Sequence, residues 1–267
     1  MTISEWISWA TSILSEAGIH TARLDSLVLL EDTLQKNRAH LLAHTDTIIS
    51  DAHIRTLQTA IMRRQQHEPL AYIRGKTEFY GRTFSVNQHV LEPRPETETM
   101  IELLKSIPLP DDTIIVDIGT GSGAIAITAK LEIPDATVVG TDIDANCLSV
   151  ATDNARLLHA NVIFKRGNLL EPLTITPTVI LCNLPYVPDH FQINQAATHE
   201  PHKAIFGGHD GLDLYRRLFE QIASLHITPQ YILTESLPPQ HPQLSIIAKA
   251  AGYTLRSADD FIQCFSQ

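Results

Sequence analysis

The first 75 residues carry apolar side chains at the spacing expected for amphipathic helices. Between positions 3 and 17 an apolar residue recurs at every third or fourth position, after the possible capping box Thr2-x-x-Glu5 and before Gly18. Similar stripes predict a second helix over 24–34 and a third helix that begins near Ser50. Residues 1–75 are therefore expected to form a small all-helical domain.

The pattern changes after this helical part. Residues 77–92 hold short aromatic and β-branched runs on either side of Gly81, which predicts a β-hairpin. Beyond Thr113 strand and helix patterns alternate, which is typical of the α/β class with a doubly wound, mostly parallel sheet, here of seven strands. The predicted strands are Thr113–Ile118, Thr137–Asp142, Val162–Lys165, Thr178–Cys182, Tyr231–Glu235, Tyr253–Arg256 and Phe261–Phe265, and the predicted helices are Ala124–Leu131, Ala145–Leu158, Leu212–Ser224 and Gln243–Ala251.

Composition limits the classes of function. The 267 residues are enough for one sizeable and one small domain, and the net charge of −10 argues against broad binding to nucleic acid, which needs clustered Lys and Arg. Cys147, Cys182 and Cys264 are far apart and lack the spacing of metal ligands, so we predict no metal site and expect a reduced, cytoplasmic setting. No apolar run is long enough to span a membrane.

A glycine-rich turn follows the first strand of the α/β part. In Asp-Ile-Gly-Thr-Gly-Ser-Gly at 117–123 the glycines permit a tight turn and a close approach of a ligand to the backbone. Asp142 ends the next strand, where a carboxylate can accept hydrogen bonds from ribose hydroxyls, and Asn168 can bond an adenine edge. The spacing fits S-adenosylmethionine or a nicotinamide dinucleotide, and the alternative is a plain βα turn with a loop asparagine.

A second motif, Asn183-Leu184-Pro185-Tyr186, follows the strand that ends at Cys182. At the carboxyl edge of a parallel sheet, the Asn183 side-chain oxygen can accept one hydrogen of a substrate NH2 group and the Leu184 carbonyl the other. Pro185 restricts the residue before it, and Tyr186 can pack on a planar amide or base. The alternative is an ordinary Asn-x-Pro turn. With the glycine turn upstream, the motif favours an S-adenosylmethionine-dependent methyltransferase that acts on a planar nitrogen.

Longer strings extend these motifs over nearly the whole chain. They are Glu-Pro-Leu-Ala-Tyr-Ile-x-Gly at 68–75, Glu-Phe at 78–79, Val-Leu-Glu-Pro-Arg-Pro-Glu-Thr-Glu at 90–98, Glu-Pro at 200–201 and Gly-Gly-x-Asp-Gly-Leu at 207–212. On these strings the chain resembles the PrmC/HemK family, the peptide-chain release factor glutamine methyltransferases. The resemblance implies transfer of a methyl group from S-adenosylmethionine to the glutamine side-chain nitrogen in the Gly-Gly-Gln loop of class 1 release factors.

The resemblance also implies a division of the chain and a set of site residues. Residues 1–75 would recognise the substrate, 76–95 would form a hairpin linker and 96–267 the Rossmann-like methyltransferase domain. The implied cofactor-binding residues are Gly119, Thr120, Gly121, Ser122, Gly123, Asp142, Asn168, Leu169 and Asn183, and the implied catalytic and substrate-binding residues are Asn183, Leu184, Pro185 and Tyr186, with Arg94 and Glu96 as further substrate contacts.

Three positions depart from the family pattern. Leu184 stands where the family usually has proline, and this leucine version of the motif is seen in ribosomal RNA adenine dimethylases. Asn168 stands where aspartate is more common. The last strand lacks the usual basic residue. Two alternatives remain, a nucleic-acid adenine N6-methyltransferase that grips a flipped-out base and a binding protein without turnover. We expect a monomer whose partner is a release factor, with neither a membrane nor a nucleic acid as a direct partner.

Overall fold

The computed structural model describes residues 1–267 and divides into two units. Met1–Gly75 and Asn194–His199 form the first unit, and Lys76–Ile193 and Glu200–Gln267 form the second unit. None of the helices combines the length and the apolar character that a membrane crossing requires. The roles that the sequence assigned to 1–75, 76–95 and 96–267 stay predictions.

The first unit is helical, as predicted. Its helices are α1 (Ile3–Glu16), α2 (Ala22–Leu34), α3 (Arg38–Ala43), α4 (Asp51–Gln65) and α5 (Leu70–Arg74). The capping box forms at the start of α1, where Thr2 and Glu5 each accept a hydrogen bond from the other's backbone N–H. The apolar faces of α1, α2 and α4 share one core around the fully buried Trp6. No helix was predicted at α3 or α5, because five or six residues are too few to show helical periodicity.

The second unit is built on a seven-stranded sheet. Its strands are β3 (Ile114–Ile118), β4 (Thr137–Asp142), β5 (Ile163–Arg166), β6 (Val179–Cys182), β7 (Tyr231–Glu235), β8 (Thr254–Asp259) and β9 (Ile262–Ser266), and its helices are α6 (Glu98–Ser106), α7 (Ala124–Glu132), α8 (Ala145–Leu157), α9 (Asp213–Ser224) and α10 (His241–Ala250). The strand order is β5-β4-β3-β6-β7-β9-β8, and only the pairings of β9 are antiparallel. The predicted doubly wound, mostly parallel sheet is confirmed, and no end of a predicted strand or helix is shifted by more than three residues.

Helices cover both faces of this sheet. Leu181 of β6 belongs to an apolar cluster on one face, and its neighbours Ile180 and Cys182 belong to the cluster on the other face, as alternation along a strand requires. Helix α6 was not predicted, although Met100, Ile101 and Leu104 are fully buried at helical spacing. The central strands are therefore buried on both faces of the sheet, and only their ends are open to a ligand.

The predicted hairpin forms between β1 (Lys76–Phe79) and β2 (Arg82–Ser85), and it belongs to the second unit. The side chain of Asn154, fully buried on α8, accepts a hydrogen bond from the Ser85 N–H at 2.7 Å and donates to the Ser85 carbonyl at 3.0 Å. It also donates to the carbonyl of Ser122 in the glycine turn at 2.9 Å. One amide thus connects β2, α8 and the glycine turn.

Candidate active site

A cavity of about 520 Å³ lies at the carboxyl edge of the sheet, a size typical of small-molecule sites. Its walls come from the loops that follow four neighbouring parallel strands, from residues 89–97 and from residues 201–217. The predicted site residues that line it are Arg94, Gly119, Thr120, Gly121, Ser122, Asp142, Asn168, Leu169, Asn183, Leu184 and Pro185. Gly123, Tyr186 and Glu96 do not line it.

Backbone hydrogen bonds attach the glycine turn to β4. The N–H groups of Gly119 and Thr120 both donate to the carbonyl of Thr141 on β4, at 2.8 and 2.9 Å. Gly123 has a φ of +81°, and a Cβ there would lie 2.9 Å from the Ile127 side chain and 3.1 Å from the Cβ of Ala151. Gly123 therefore allows α7 and α8 to pack closely, and the cofactor contact predicted for it stays a prediction.

Asp142 ends β4 beside the glycine turn. One carboxylate oxygen accepts from the Gly121 N–H at 3.0 Å, and the other accepts from the Asp144 N–H at 2.9 Å. Burial raises the pKa of Asp142, and the two backbone hydrogen bonds partly oppose that rise. Each oxygen keeps a free lone pair, so the carboxylate can accept further hydrogen bonds from a diol inside the cavity.

Asn168 and Leu169 follow β5. Asn168 lines the cavity, but its side-chain amide donates to Glu171 at 2.7 Å and its oxygen accepts from Arg217 at 3.0 Å. Leu169 has a φ of +55°, a left-handed conformation that is uncommon for a residue other than glycine, and its carbonyl accepts from the Thr141 hydroxyl at 3.0 Å. The structure therefore holds the Asn168 amide in a side-chain network that the sequence did not indicate.

Asn183 emerges from β6 into the same cavity. Its Nδ2 donates to the hydroxyl oxygen of Thr97 at 3.1 Å, and its amide lies near enough to the carboxyl group of Glu235 to lower the pKa of that group. An acceptor on this side identifies the NH2 end of the amide, because an asparagine oxygen could not face a carboxylate oxygen favourably. The side-chain oxygen of Asn183 is left to face the cavity as an acceptor.

The rest of the motif is fixed by contacts behind the cavity. The Leu184 N–H donates to the hydroxyl of Tyr215 at 3.3 Å, and the Leu184 side chain packs beside Gly119. The Tyr186 hydroxyl donates to Glu235 at 3.0 Å, and burial together with the charge of Glu235 raises the pKa of Tyr186. The predicted packing of Tyr186 on a substrate stays a prediction.

The backbone of the segment 207–211 packs directly against the backbone of the Asn183–Tyr186 motif. A Cβ at Gly207 would collide with the carbonyl oxygen of Pro185 and would lie 2.6 Å from that of Gly211. A Cβ at Gly211, whose φ is +80°, would collide with the carbonyl oxygen of Tyr186. Both glycines therefore permit a backbone-to-backbone approach that no side chain allows.

Arg94 lines the cavity near the hairpin. Its guanidinium donates to the buried Glu200 at 2.5 Å and lies 3.7 Å from the carboxylate of Glu92. Burial raises the pKa of Glu200 to about 6, and Arg94 partly opposes that rise. Glu96 is exposed on the short 3-10 helix Pro95–Thr97, outside the cavity. Arg94 and Glu200 therefore join the 92–94 segment to the 200–201 loop.

Asp117 lies beneath the glycine turn and is completely buried. Oδ2 accepts from the Thr120 hydroxyl at 2.5 Å and from the Ala126 N–H at 3.2 Å, and Oδ1 has no hydrogen-bond partner. Burial raises the pKa of Asp117 from 3.8 to about 7, against the effect of these two hydrogen bonds. A proton on Asp117 is therefore bound more tightly in the folded chain than in the unfolded chain.

This raised pKa predicts a pH-dependent stability. As the pH rises from 3.8 to about 7, the unfolded carboxyl is already ionised while the folded one is still protonated, so the parent loses stability over that window. In Asp117→Asn the decrease in the free energy of unfolding that the Asp117 carboxyl causes over this pH window, up to about 4 kcal/mol, is expected to disappear. Urea unfolding between pH 4.5 and 8 measures it, with Asp111→Asn at an exposed position as the control. Equal pH slopes in parent and Asp117→Asn would contradict it.

Several residues of the site were not indicated by sequence reasoning. Lys203 and Arg217 line the cavity, and Glu235 lies beside Asn183 at the carboxyl edge. Thr97 also lines the cavity and belongs to the segment 94–98 that the resemblance places at the pocket, but its contact with Asn183 was not indicated. A usable signal existed for Glu235, because the predicted strand 231–235 ends with it at the same edge of the sheet. Lys203 forms an ion pair with Asp144 and lies on the 3-10 helix His202–Ala204, which is too short to show periodicity.

Comparisons with known proteins agree with this geometry. Residues 5–75 match the PrmC N-terminal domain, and residues 96–203 match the methyltransferase small domain. The release factor glutamine methyltransferase of Coxiella burnetii is 35% identical over 236 residues, 87% of this chain and 85% of the relative. The one of Deinococcus radiodurans is 34% identical over 257 residues, 95% of this chain and 92% of the relative.

Solved structures support the fold. A methyltransferase from Pyrococcus furiosus aligns with a TM-score of 0.51 at 17% identity and covers 81% of this chain and 97% of its own. At that identity the likeness concerns the fold alone, whereas the sequence relatives span nearly the whole length. The chain is therefore an S-adenosylmethionine-dependent methyltransferase that belongs to the release factor glutamine methyltransferase family.

Proposed function

We propose that this chain methylates the side-chain amide nitrogen of the glutamine in the Gly-Gly-Gln motif of class 1 release factors. The names of its relatives support this substrate. The observation that carries the proposal is the orientation of Asn183, whose NH2 group is bonded to Thr97 so that its oxygen is available to a donor in the cavity. A primary amide offers that oxygen an N–H, and a backbone carbonyl at Leu184 would accept the second hydrogen.

The cavity suits S-adenosylmethionine. It has the volume of a nucleoside-sized site, mostly apolar walls, and the carboxylate of Asp142 with lone pairs to spare at one end. When bound, the cofactor supplies an electrophilic methyl group on a sulfonium. Gly119 to Ser122 would border it through backbone, Asp142 would accept hydrogen bonds from its ribose, and Leu169 would border its base.

The chain's contribution to the reaction is orientation and electrostatics. An amide nitrogen is a poor nucleophile because its lone pair is delocalised, so holding the amide in one orientation removes an entropic barrier. Asn183 and the Leu184 carbonyl place two acceptors where the nitrogen gains positive charge, and such preorganised partners stabilise the transition state. No strong base is needed, because the nitrogen-bound proton becomes acidic once the nitrogen has gained its methyl group.

The assignment of Asp142 predicts a loss of cofactor affinity on substitution. In Asp142→Ala binding of S-adenosylmethionine should weaken by about 1–3 kcal/mol, because charge-assisted hydrogen bonds to the ribose are lost. Asn168→Ala should cost less, because only a neutral contact is lost from a side chain already bonded to Glu171 and Arg217. Calorimetry measures both affinities. An unchanged dissociation constant for Asp142→Ala would remove Asp142 from the cofactor site.

The unusual Leu184 predicts a mild substitution. Leu184→Pro restores the family's common residue and keeps the carbonyl, so turnover should be retained. It removes the N–H that donates to Tyr215, and one neutral hydrogen bond is worth about 0.5–1.5 kcal/mol of stability. Thermal unfolding and single-turnover methylation measure the two effects, with Leu184→Ala as a control that keeps the N–H. Loss of turnover in a folded Leu184→Pro protein would show that more than the carbonyl is needed.

We also assign recognition of the release factor to residues 1–75. The support is that the matched PrmC N-terminal domain covers 5–75 while the residues lining the cavity all fall between 79 and 217. The proposal includes a monomeric, cytoplasmic enzyme, because its substrate works in translation. The net charge of −10 speaks against a nucleic acid as direct substrate.

Mass spectrometry of a class 1 release factor tests the proposal. After incubation with this protein and S-adenosylmethionine, the peptide that contains Gly-Gly-Gln should gain the mass of one methyl group, located on the glutamine by fragmentation. A factor with Gly-Gly-Asn in place of Gly-Gly-Gln is the matched control and should gain nothing. Transfer of labelled methyl to ribosomal RNA instead of the factor would favour the adenine methyltransferase and contradict the proposal.

A further inference from the structure

Glu235 lies immediately behind the substrate-facing asparagine. Cys182 on β6 pairs with Thr234 on β7 in parallel register, so the next residues, Asn183 and Glu235, are neighbours at the carboxyl edge. The Glu235 side chain is 1% exposed, and one oxygen accepts from the Tyr186 hydroxyl at 3.0 Å. Thr97 and Asn183 lie close enough to this carboxylate to lower its pKa, and its second oxygen, Oε2, is buried without a hydrogen-bond partner. A buried acidic group thus contacts two members of the motif.

The environment of Glu235 has two opposing effects on its charge. The pKa of Glu235 is raised, because the effect of burial is larger than the opposing effect of the donor groups on Thr97, Tyr186 and Asn183. All three groups can donate, and donors stabilise the ionised form. In its ionised form Glu235 acts as an acceptor only.

An acceptor-only group fixes the direction of the hydrogen bonds next to it. The Thr97 hydroxyl can donate only one hydrogen, and the buried Oε2 of the nearby Glu235, which has no other hydrogen-bond partner, is the acceptor available to it. The Thr97 oxygen must then accept from Asn183, which it does from Nδ2 at 3.1 Å. A flipped Asn183 amide would turn its oxygen towards the Glu235 carboxylate, so only one of the two orientations is stable.

We propose that Glu235 and Thr97 are positioning residues that lock the side-chain amide of Asn183 with its oxygen towards the substrate and thereby select a carboxamide over a carboxylate. This inference rests on the proposed function, in which Asn183 accepts a hydrogen from the substrate NH2 group. A substrate carboxylate has no hydrogen to offer this oxygen and is rejected by it. The buried glutamate thus makes the site discriminate glutamine from glutamate.

The test is single-turnover methylation of a Gly-Gly-Gln release factor by Glu235→Gln. Gln at 235 can donate as well as accept, so the Asn183 amide loses its fixed orientation. The rate constant should fall at least about tenfold, the loss expected when one hydrogen bond to a charged group is removed from the transition state. The dissociation constant of S-adenosylmethionine should stay unchanged in calorimetry, because Glu235 does not line the cavity.

A matched pair at Thr97 tests the same relay without changing the buried charge. Thr97→Val keeps the shape and removes the hydroxyl, so the rate should fall as in Glu235→Gln. Thr97→Ser keeps the hydroxyl and should keep the rate. The double variant Glu235→Gln/Thr97→Val should be no slower than the slower single variant, because both act through one amide. This pair also decides the matter if Glu235→Gln fails to fold.

Competition provides a readout that a purely structural role would not change. Methylation of the release factor by the parent should be inhibited more strongly by an added unmethylated Gly-Gly-Gln factor than by an added Gly-Gly-Glu factor. In Glu235→Gln the difference between these two inhibition strengths should become smaller. Parental rates and preference in folded Glu235→Gln and Thr97→Val would overturn the inference while the proposed function stands. A parent that does not methylate the release factor contradicts the proposed function itself, and the inference with it.

Discussion

Replacing Asn183 with Ala is expected to lower methylation of the release factor by a factor of about 100 to 1,000, the usual effect of removing one preorganised electrostatic partner. The Leu184 carbonyl remains, so one of two acceptors for the amide hydrogens is lost. Cofactor affinity should change little, because the Asp142 carboxylate and the glycine turn are untouched. Single-turnover rates with saturating S-adenosylmethionine, together with calorimetry, separate the two quantities.

Two further substitutions sharpen this expectation. Asn161→Ala, at an exposed loop position, is the matched control and should keep the parental rate. Asn183→Asp keeps an acceptor but places a second carboxylate beside the buried Glu235. Because two neighbouring carboxylates repel each other, each opposes the ionisation of the other. Near-parental turnover in Asn183→Ala would mean that the turn does not grip the amide, and the mechanism proposed above would fail.

The second large effect is expected for Gly207→Ala. The added Cβ would collide with the carbonyl oxygen of Pro185 and lie 2.6 Å from that of Gly211, so backbone must move on one side or the other. A displacement of the catalytic turn by about 1 Å is enough to lower the rate about a hundredfold. Single-turnover methylation and thermal unfolding should both report the change.

Gly252→Ala is the matched control for this glycine. Its φ of +89° makes alanine strained there, but a Cβ at Gly252 would meet no atom within 4 Å. It should therefore lose some stability and keep the parental rate. If Gly207→Ala retained the parental rate, the position of the Asn183–Tyr186 turn would not depend on contact with the 207–211 segment.

Much of the architecture could be predicted because it is local. Alternating apolar runs indicated the parallel sheet, and the rule that ligands bind at the carboxyl ends of parallel strands placed Gly119, Asp142 and Asn183 at one edge. The structure brings all three to one cavity. The short helices α3 and α5 were missed because one turn or two of helix carries almost no periodic signal.

The parts that escaped prediction depend on contacts between distant segments. Thr97 meets Asn183 across 86 positions, and no local pattern indicates such a pairing. Gly123 was expected at the cofactor because it belongs to the glycine string, yet its contacts with Ile127 and Ala151 concern helix packing. The amide of Asn168 was expected to face a ligand, but Arg217 on α9 contacts it.

The buried amide of Asn154 has a consequence for cooperativity. Separating β2 from α8 would break its two hydrogen bonds to Ser85 and leave a fully buried amide half unpaired, a costly state. The same side chain bonds Ser122, so fraying of the hairpin would also loosen the glycine turn. An isolated two-stranded hairpin is at best marginally stable. We therefore expect the hairpin to open together with the sheet as one cooperative unit, and the glycine turn to open with them.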